Sequence, residues 1–271
     1  MVRNITLGQF IPGHSVIHRL DARTKILLLI AYIVFIFCAA NYISLLMMTA
    51  VSLAVVLATK IKFRLYLKSL KVILLVVLLT GILNIFNGSG RILWELGLIK
   101  ITEGGINNAI FVTVRIAVLV LISSVLTFTT SPSDLTDALE KILKPLSIFH
   151  IKVHEIAMMM TIALRFIPVL LEETDKIMNA QKARGADLES GNIFYRIKAL
   201  IPILIPLFVS AFRRANDLAT AMECRCYNGG VNRTRMKVLC FSGLDLFGLI
   251  FSMIIFVGVI VSNLCIPAVV R

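Results

Sequence analysis

The chain has 271 residues, 58% hydrophobic and only 16% charged, with a mean hydropathy of +0.92. Soluble domains carry about 25% charged residues, and a soluble chain this apolar would expose more hydrophobic surface than water tolerates. The composition therefore excludes most soluble enzymes and nucleic-acid modules and describes an integral membrane protein, in which the net charge of +13 reads as Lys and Arg gathered in cytoplasmic loops.

The segment up to Lys25 is mostly polar and runs straight into an apolar stretch, which is not the pattern of a cleaved signal peptide. Between Lys25 and Lys60 every residue is uncharged. That is enough for two short crossings of about 17 residues each, and predicts a tight hairpin turning near Asn41 and Ser44. The basic strip Lys60, Lys62, Arg64, Lys68 and Lys71 precedes a third span, Val72 to Phe86, closed by the turn residues Asn87, Gly88, Ser89 and Gly90. A fourth span runs from Asn108 to Phe128 and a last one from Val238 to Ser262, with Asp245 near its start.

The stretch between the last two spans is different in kind. Ser131, Pro132, Ser133 and Asp134 combine an N-cap hydroxyl, a proline at the first helical position and an acid at N3, a strong helix start. Leu135, Leu139, Ile142 and Leu146 follow as one apolar stripe. Two further apolar runs are short: Ile156 to Leu171, interrupted by Arg165 and Pro168, and Ala199 to Phe212, interrupted by Pro202 and Pro206. Their lengths suit buried or interfacial helices better than crossings.

The basic residues agree with this layout. With the N-terminus inside and five spans, residues 1–25 carry four Lys or Arg, the strip after the hairpin five, and residues 131–237 fifteen. The outside receives only Arg91, Lys100 and Arg271. Were Ile156 to Leu171 to cross, then Lys176, Lys182, Arg184, Arg196 and Lys198 would lie outside, against the positive-inside rule. The expected organisation is all-α: a cytoplasmic segment 1–25, four transmembrane helices in 26–130, a membrane-proximal cytoplasmic helical domain 131–237, and a last transmembrane helix in 238–271. Arg115 is left inside the fourth span, where it either snorkels to the outer surface, the expected arrangement, or meets a structural partner such as a carbonyl. Arg165 is expected to pack within the internal domain.

Several chemistries find no residues to carry them. There is no phosphate-binding G-x-x-x-x-G-K-[ST], and His154 and Glu155 are not followed by the second His of a zinc protease. Neither G-x-S-x-G nor G-x-G-x-x-G occurs. His14, His18, His150 and His154 read as surface or interfacial side chains. Cys38, Cys224, Cys226, Cys240 and Cys265 are odd in number and contain no C-x-x-C, so neither a disulfide framework nor a zinc site is expected. No span holds a pair of carboxylates of the sort a proton-coupled carrier needs. Catalysis and metal binding are not expected, and energy for transport must come from elsewhere.

What does stand out is a near-repeat in the internal domain. A polar helix from Leu171 ends in Ala183, Arg184, Gly185, and another from Arg213 ends in Cys224, Arg225, Cys226, each following an apolar run that contains proline. Gly185 and Gly229 are suited to redirect the chain beyond each end. Each central Arg either neutralises its helix's dipole or, between small neighbours, offers its forked guanidinium to a partner's groove. Ala157, Met158, Met159 and Met160 suit either interior packing or a sliding interface.

Four stretches, Gly8 to Lys25, Ser131 to Leu146, Leu164 to Asp187 and Arg213 to Tyr227, resemble the EcfT family of transmembrane coupling proteins from energy-coupling-factor transporters, which includes the cobalt-transport proteins CbiQ. The resemblance implies a non-catalytic subunit in a prokaryotic cell membrane that joins two cytoplasmic ABC-type ATPases to a small membrane protein, the S component, capturing a vitamin or metal ion. It implies that Ala183, Arg184, Gly185 and Cys224, Arg225, Cys226 end coupling helices that dock into the ATPases, which bind the ATP, so that no cofactor is expected in this chain. The Cys flanks depart from the family's commoner Ala-Arg-Gly. The other class of reading is a self-sufficient secondary carrier, which would require inverted repeats and broken helices at the membrane midplane.

Overall fold

Apolar runs of limited length, each stopped by a capping residue, dictate the architecture. The computed structural model describes residues 10–86, 92–96, 99–186, 192–229 and 240–265. Its contacts divide the chain into a unit of Gly8–Ala138 with Val238–Arg271 and a unit built on Leu139–Lys237.

In the first unit a short helix α1 (Val16–Arg19) leads to the hairpin of α2 (Ala22–Cys38) and α3 (Tyr42–Ala58), the two hairpin helices being equal in length. Asp21 caps α2 by accepting the Arg23 N–H, and Asn41 with Ser44 forms a reciprocal capping box at α3. The predicted turn is thus Ala39 to Asn41, with Ser44 just inside α3. Helix α4 (Phe63–Phe86) starts within the basic strip and bends by 57° between Lys71 and Ile73, so Arg64, Lys68 and Lys71 lie on its first arm and the predicted third span on its second. The turn residues Asn87 to Gly90 lie outside the described residues. Beyond them comes a feature the periodicity does not reveal, a small antiparallel hairpin of β1 (Ile92–Leu96) and β2 (Ile99–Thr102), in register Leu96 to Ile99 and Glu95 to Lys100. Helix α5 (Glu103–Thr129) and α9 (Gly243–Cys265) complete the unit. Its core includes Ile36, Met48, Tyr66, Phe111, Phe128 and Val259, all essentially inaccessible. The Tyr66 hydroxyl shares a hydrogen bond with Thr59 Oγ1 at 3.0 Å while its ring meets Phe128 edge-on at 5.2 Å.

Arg115 does not snorkel free. Its Nη2 donates to the Ala39 carbonyl at 2.7 Å, and its guanidinium lies 4.7 Å from the centre of the Phe111 ring. A helix C-terminal carbonyl and an aromatic face together accommodate the cation, so the carbonyl alternative holds and the side chain pins the α2–α3 turn to α5.

Helix α6 (Pro132–Leu143) begins as predicted, Ser131 Oγ accepting the Asp134 N–H at 3.1 Å. In the second unit, α7 (Val153–Ala183) and α8 (Ile193–Glu223) are each continuous over 31 residues. Neither Pro168 nor Pro202 and Pro206 ends its helix, although each removes one N–H from the ladder. All three prolines are exposed, so each ring faces outward, and the ladder resumes on either side. Arg165 is exposed on α7, not packed inside. Helices α5, α7 and α9 are long and apolar enough to cross a membrane, and α4 joins them if its two arms form one span. The run from Ile156 to Leu171 is part of this one longer helix, α7.

Candidate functional site

The site is built from the hairpin of α7 and α8. Gln181 Nε2 on α7 donates to the Pro202 carbonyl at 3.4 Å, and Arg214 Nη2 on α8 meets Glu173 Oε2 at 2.7 Å. Partners on α8 rise in number as those on α7 fall, so the helices run antiparallel. Glu173 and Arg214 are separated in sequence by the same interval as Arg184 and Arg225. The ion pair therefore joins equivalent positions of the near-repeat and marks its local two-fold centre. Each motif arginine follows its own member of the pair by about three helical turns, or about 16 Å at the usual rise per residue. The two run in opposite directions from the centre, so the arginines lie about 33 Å apart along the hairpin.

The two ends are closed by the same local geometry. At the first, the Gly185 N–H bonds to the Lys182 carbonyl and the Ala186 N–H to Gln181, both at 3.0 Å, with Gly185 left-handed at φ 86°. At the second, the Cys226 N–H bonds to the Glu223 carbonyl at 2.8 Å and the Tyr227 N–H to Met222 at 3.1 Å, with Cys226 at φ 52°. Both are six-to-one closures of a helix C-terminus, and in both the residue after Arg takes the left-handed position. The chain-redirecting residue of α8 is thus Cys226; Gly229, also left-handed at φ 80°, lies three residues further on. A side chain in this region costs about 1–2 kcal/mol, against the roughly 0.5–1 kcal/mol that glycine loses in backbone entropy. Cys226→Gly should accordingly raise stability by about 0.5–1 kcal/mol, seen as a higher midpoint in thermal unfolding of the detergent-solubilised chain; a lower midpoint would contradict the left-handed assignment.

Ala183, Arg184, Gly185, Cys224, Arg225 and Cys226 are all exposed, and neither motif guanidinium has a hydrogen bond or ion pair with another described residue. The ends are not identical: Lys182 precedes the first motif and Glu223 the second, at equivalent positions. The structure brings each motif's three residues together at one helix end and keeps the two motifs apart. Glu173 and Arg214 carry no motif of their own; the one trace of their pairing in the sequence is the offset they share with the motif arginines. A double reversal, Glu173→Arg with Arg214→Glu, should restore the loss of about 1 kcal/mol that Glu173→Arg alone inflicts on this part-exposed pair; equal melting of single and double variants would show that the pair contributes nothing.

The family model for the cobalt transport protein CbiQ matches residues 13–238, most of the chain. The chain belongs to the CbiQ family. Among curated relatives, the energy-coupling factor transporter transmembrane protein EcfT of Ruminiclostridium cellulolyticum is 52% identical over 90% of this chain and 92% of its own. Those of Thermosediminibacter oceani and Bacillus subtilis are 48% identical over 97% and 99% of the two chains and 44% identical over 90% and 93%. The resemblance carried by the four sequence stretches therefore holds, and this CbiQ-family member is a membrane transport protein with several apolar transmembrane-length helices.

Proposed function

We propose that this chain is the transmembrane coupling subunit of an energy-coupling-factor transporter, passing ATP-driven motion from two cytoplasmic ABC-type ATPases to a small membrane protein, the S component, that captures a vitamin or metal ion. The observation that carries the reading is a pair of exposed arginines, unpartnered among the described residues, at two identically closed helix ends about 33 Å apart on one antiparallel hairpin. A hairpin with two such ends offers one plug to each of two partners, and Lys182 against Glu223 makes the plugs unequal. Arginine's planar fork suits docking because it makes two parallel hydrogen bonds to a carboxylate or to carbonyls at a helix end, and the small flanking residues let it enter a groove.

ATP then belongs to the partners, and this chain performs no catalysis. The N-terminus and residues 131–237 lie on the cytoplasmic face of a prokaryotic cell membrane, a reading supported by the fifteen basic residues of that region. Motion of the docked ends is conveyed along α7 and α8, and the Met159 and Met160 side chains, exposed on α7, supply an adaptable apolar surface for sliding. Gentle purification from native membranes tests the reading: two ATPases and a small membrane protein should accompany the chain, and transport by the chain reconstituted alone would replace this reading with a secondary carrier.

A further inference from the structure

The stretch Gly8 to Lys25, one of the four that carry the family resemblance, contains neither arginine motif, and the contacts of its described residues point to another role. Lys25 is buried, and its Nζ donates to the Thr129 carbonyl at 3.0 Å, to Thr130 Oγ1 at 3.3 Å and to the His18 carbonyl at 3.4 Å. The Ile11 N–H adds a bond to the Phe128 carbonyl at 2.9 Å. These contacts hold the last turn of α5 just before Ser131 caps α6, the helix along which the chain leaves the membrane unit between Ala138 and Leu139. The start of α9, which follows the coupling unit in the chain, is held by the same segment. Asp245, 1% exposed, uses one carboxylate oxygen to accept the Asp21 N–H at 2.9 Å and the other to accept the Ser242 N–H at 2.7 Å. Arg23, paired with Asp21 at 2.8 Å, lies 4.1 Å from the centre of the Phe241 ring.

The chain thus passes out to the coupling unit after α5 and comes back before α9, and the membrane side of each passage is tied to the short segment Asp21 to Lys25, where α2 begins. We propose that this segment is the anchor through which motion of the coupling unit reaches the membrane helices, with Lys25 and Asp245 as positioning residues for the outgoing and returning connections. Two of the ties, Lys25 to the Thr129 carbonyl and the Asp21 N–H to Asp245, are buried and charge-assisted, so displacement at either end is delivered to the start of α2.

The inference rests on the coupling function proposed above. Its test uses the whole complex in proteoliposomes. Tritiated B vitamins and radioactive cobalt(II) are supplied singly, and uptake is followed for whichever the wild-type complex accumulates, alongside ATP hydrolysis. Lys25→Met and Asp245→Asn should keep the ATPases bound and hydrolysis close to the wild-type rate, while uptake per ATP falls about tenfold, the size of a typical coupling energy. Lys25→Arg should recover part of the loss. Should the buried variants fail to assemble, Phe241→Ala removes only an exposed ring and should lower the ratio about threefold. A wild-type ratio in every variant that assembles, Phe241→Ala included, overturns the anchor and leaves the coupling function standing. A wild-type complex without ATPases overturns both.

Discussion

On the proposed function, reversing the charge of both motif arginines, Arg184→Glu with Arg225→Glu, is expected to strip the ATPases from the purified complex and abolish uptake. A central arginine in an interface is worth about 2–4 kcal/mol, and reversal adds repulsion from the acceptors it leaves. Two such losses weaken attachment by at least about a thousandfold, since each step of about 1.4 kcal/mol is tenfold. Each single reversal should free one end and leave the complex attached by the other. Arg184→Lys keeps the charge but loses the planar fork, and belongs between wild type and reversal. Both side chains are exposed and make no bonds with other described residues, so the variant's own stability should fall by no more than the roughly 0.3–1 kcal/mol per end that an acid at a helix C-terminus costs. ATPases that co-purify at wild-type stoichiometry with the double reversal would sink the docking assignment.

Among the described glycines packed between helices, Gly105→Ala should be the most damaging single methyl addition. Gly105 sits in the first turn of α5, its N–H bound to Thr102 Oγ1 at 3.1 Å, and a Cβ there would lie well inside contact distance of the Ile85 carbonyl oxygen in the last turn of α4. That neighbour is backbone and cannot rotate away, so α4 and α5, the most extensively packed helix pair, must separate. Alanine's helix propensity would favour it by about 1 kcal/mol in an open helix. Overpacking of about 3 kcal/mol outweighs that gain, and the expected result is a clear fall in the melting temperature of the solubilised chain. A variant that melts with wild type would mean that the helices do not approach so closely. By contrast Gly185, with open space where its side chain would be, is required for its left-handed backbone alone.

The first helical hairpin was legible as sequence because hydropathy and length decide it: an uncharged run from Lys25 to Lys60 with capping groups in its middle folds as two helices of equal length. The start of α6 was legible for a similar reason, since an N-cap bond closes within a single turn. Sequence and structure part company where a local signal meets the backbone's wider context. Pro168, Pro202 and Pro206 are helix breakers by propensity, yet α7 and α8 pass through them, each proline removing one N–H from an otherwise continuous ladder. Cys226 carries no turn signal of its own, and its left-handed backbone follows from closing α8 in the same way that Gly185 closes α7.

The membrane character of the chain, the order of its helices and the two arginines that end the paired helices were determined by sequence alone, because each follows from composition or from neighbours within one helical turn. The tertiary structure decided which groups satisfy the charges. Arg115 finds a carbonyl 76 residues away, Lys25 one 104 residues away, and Asp245 an N–H 224 residues away. Such pairings leave no periodic trace, for the partner is a backbone atom that any residue type can supply. They are set only when packing excludes water and a buried charge must be answered by whatever polar group the fold has brought beside it.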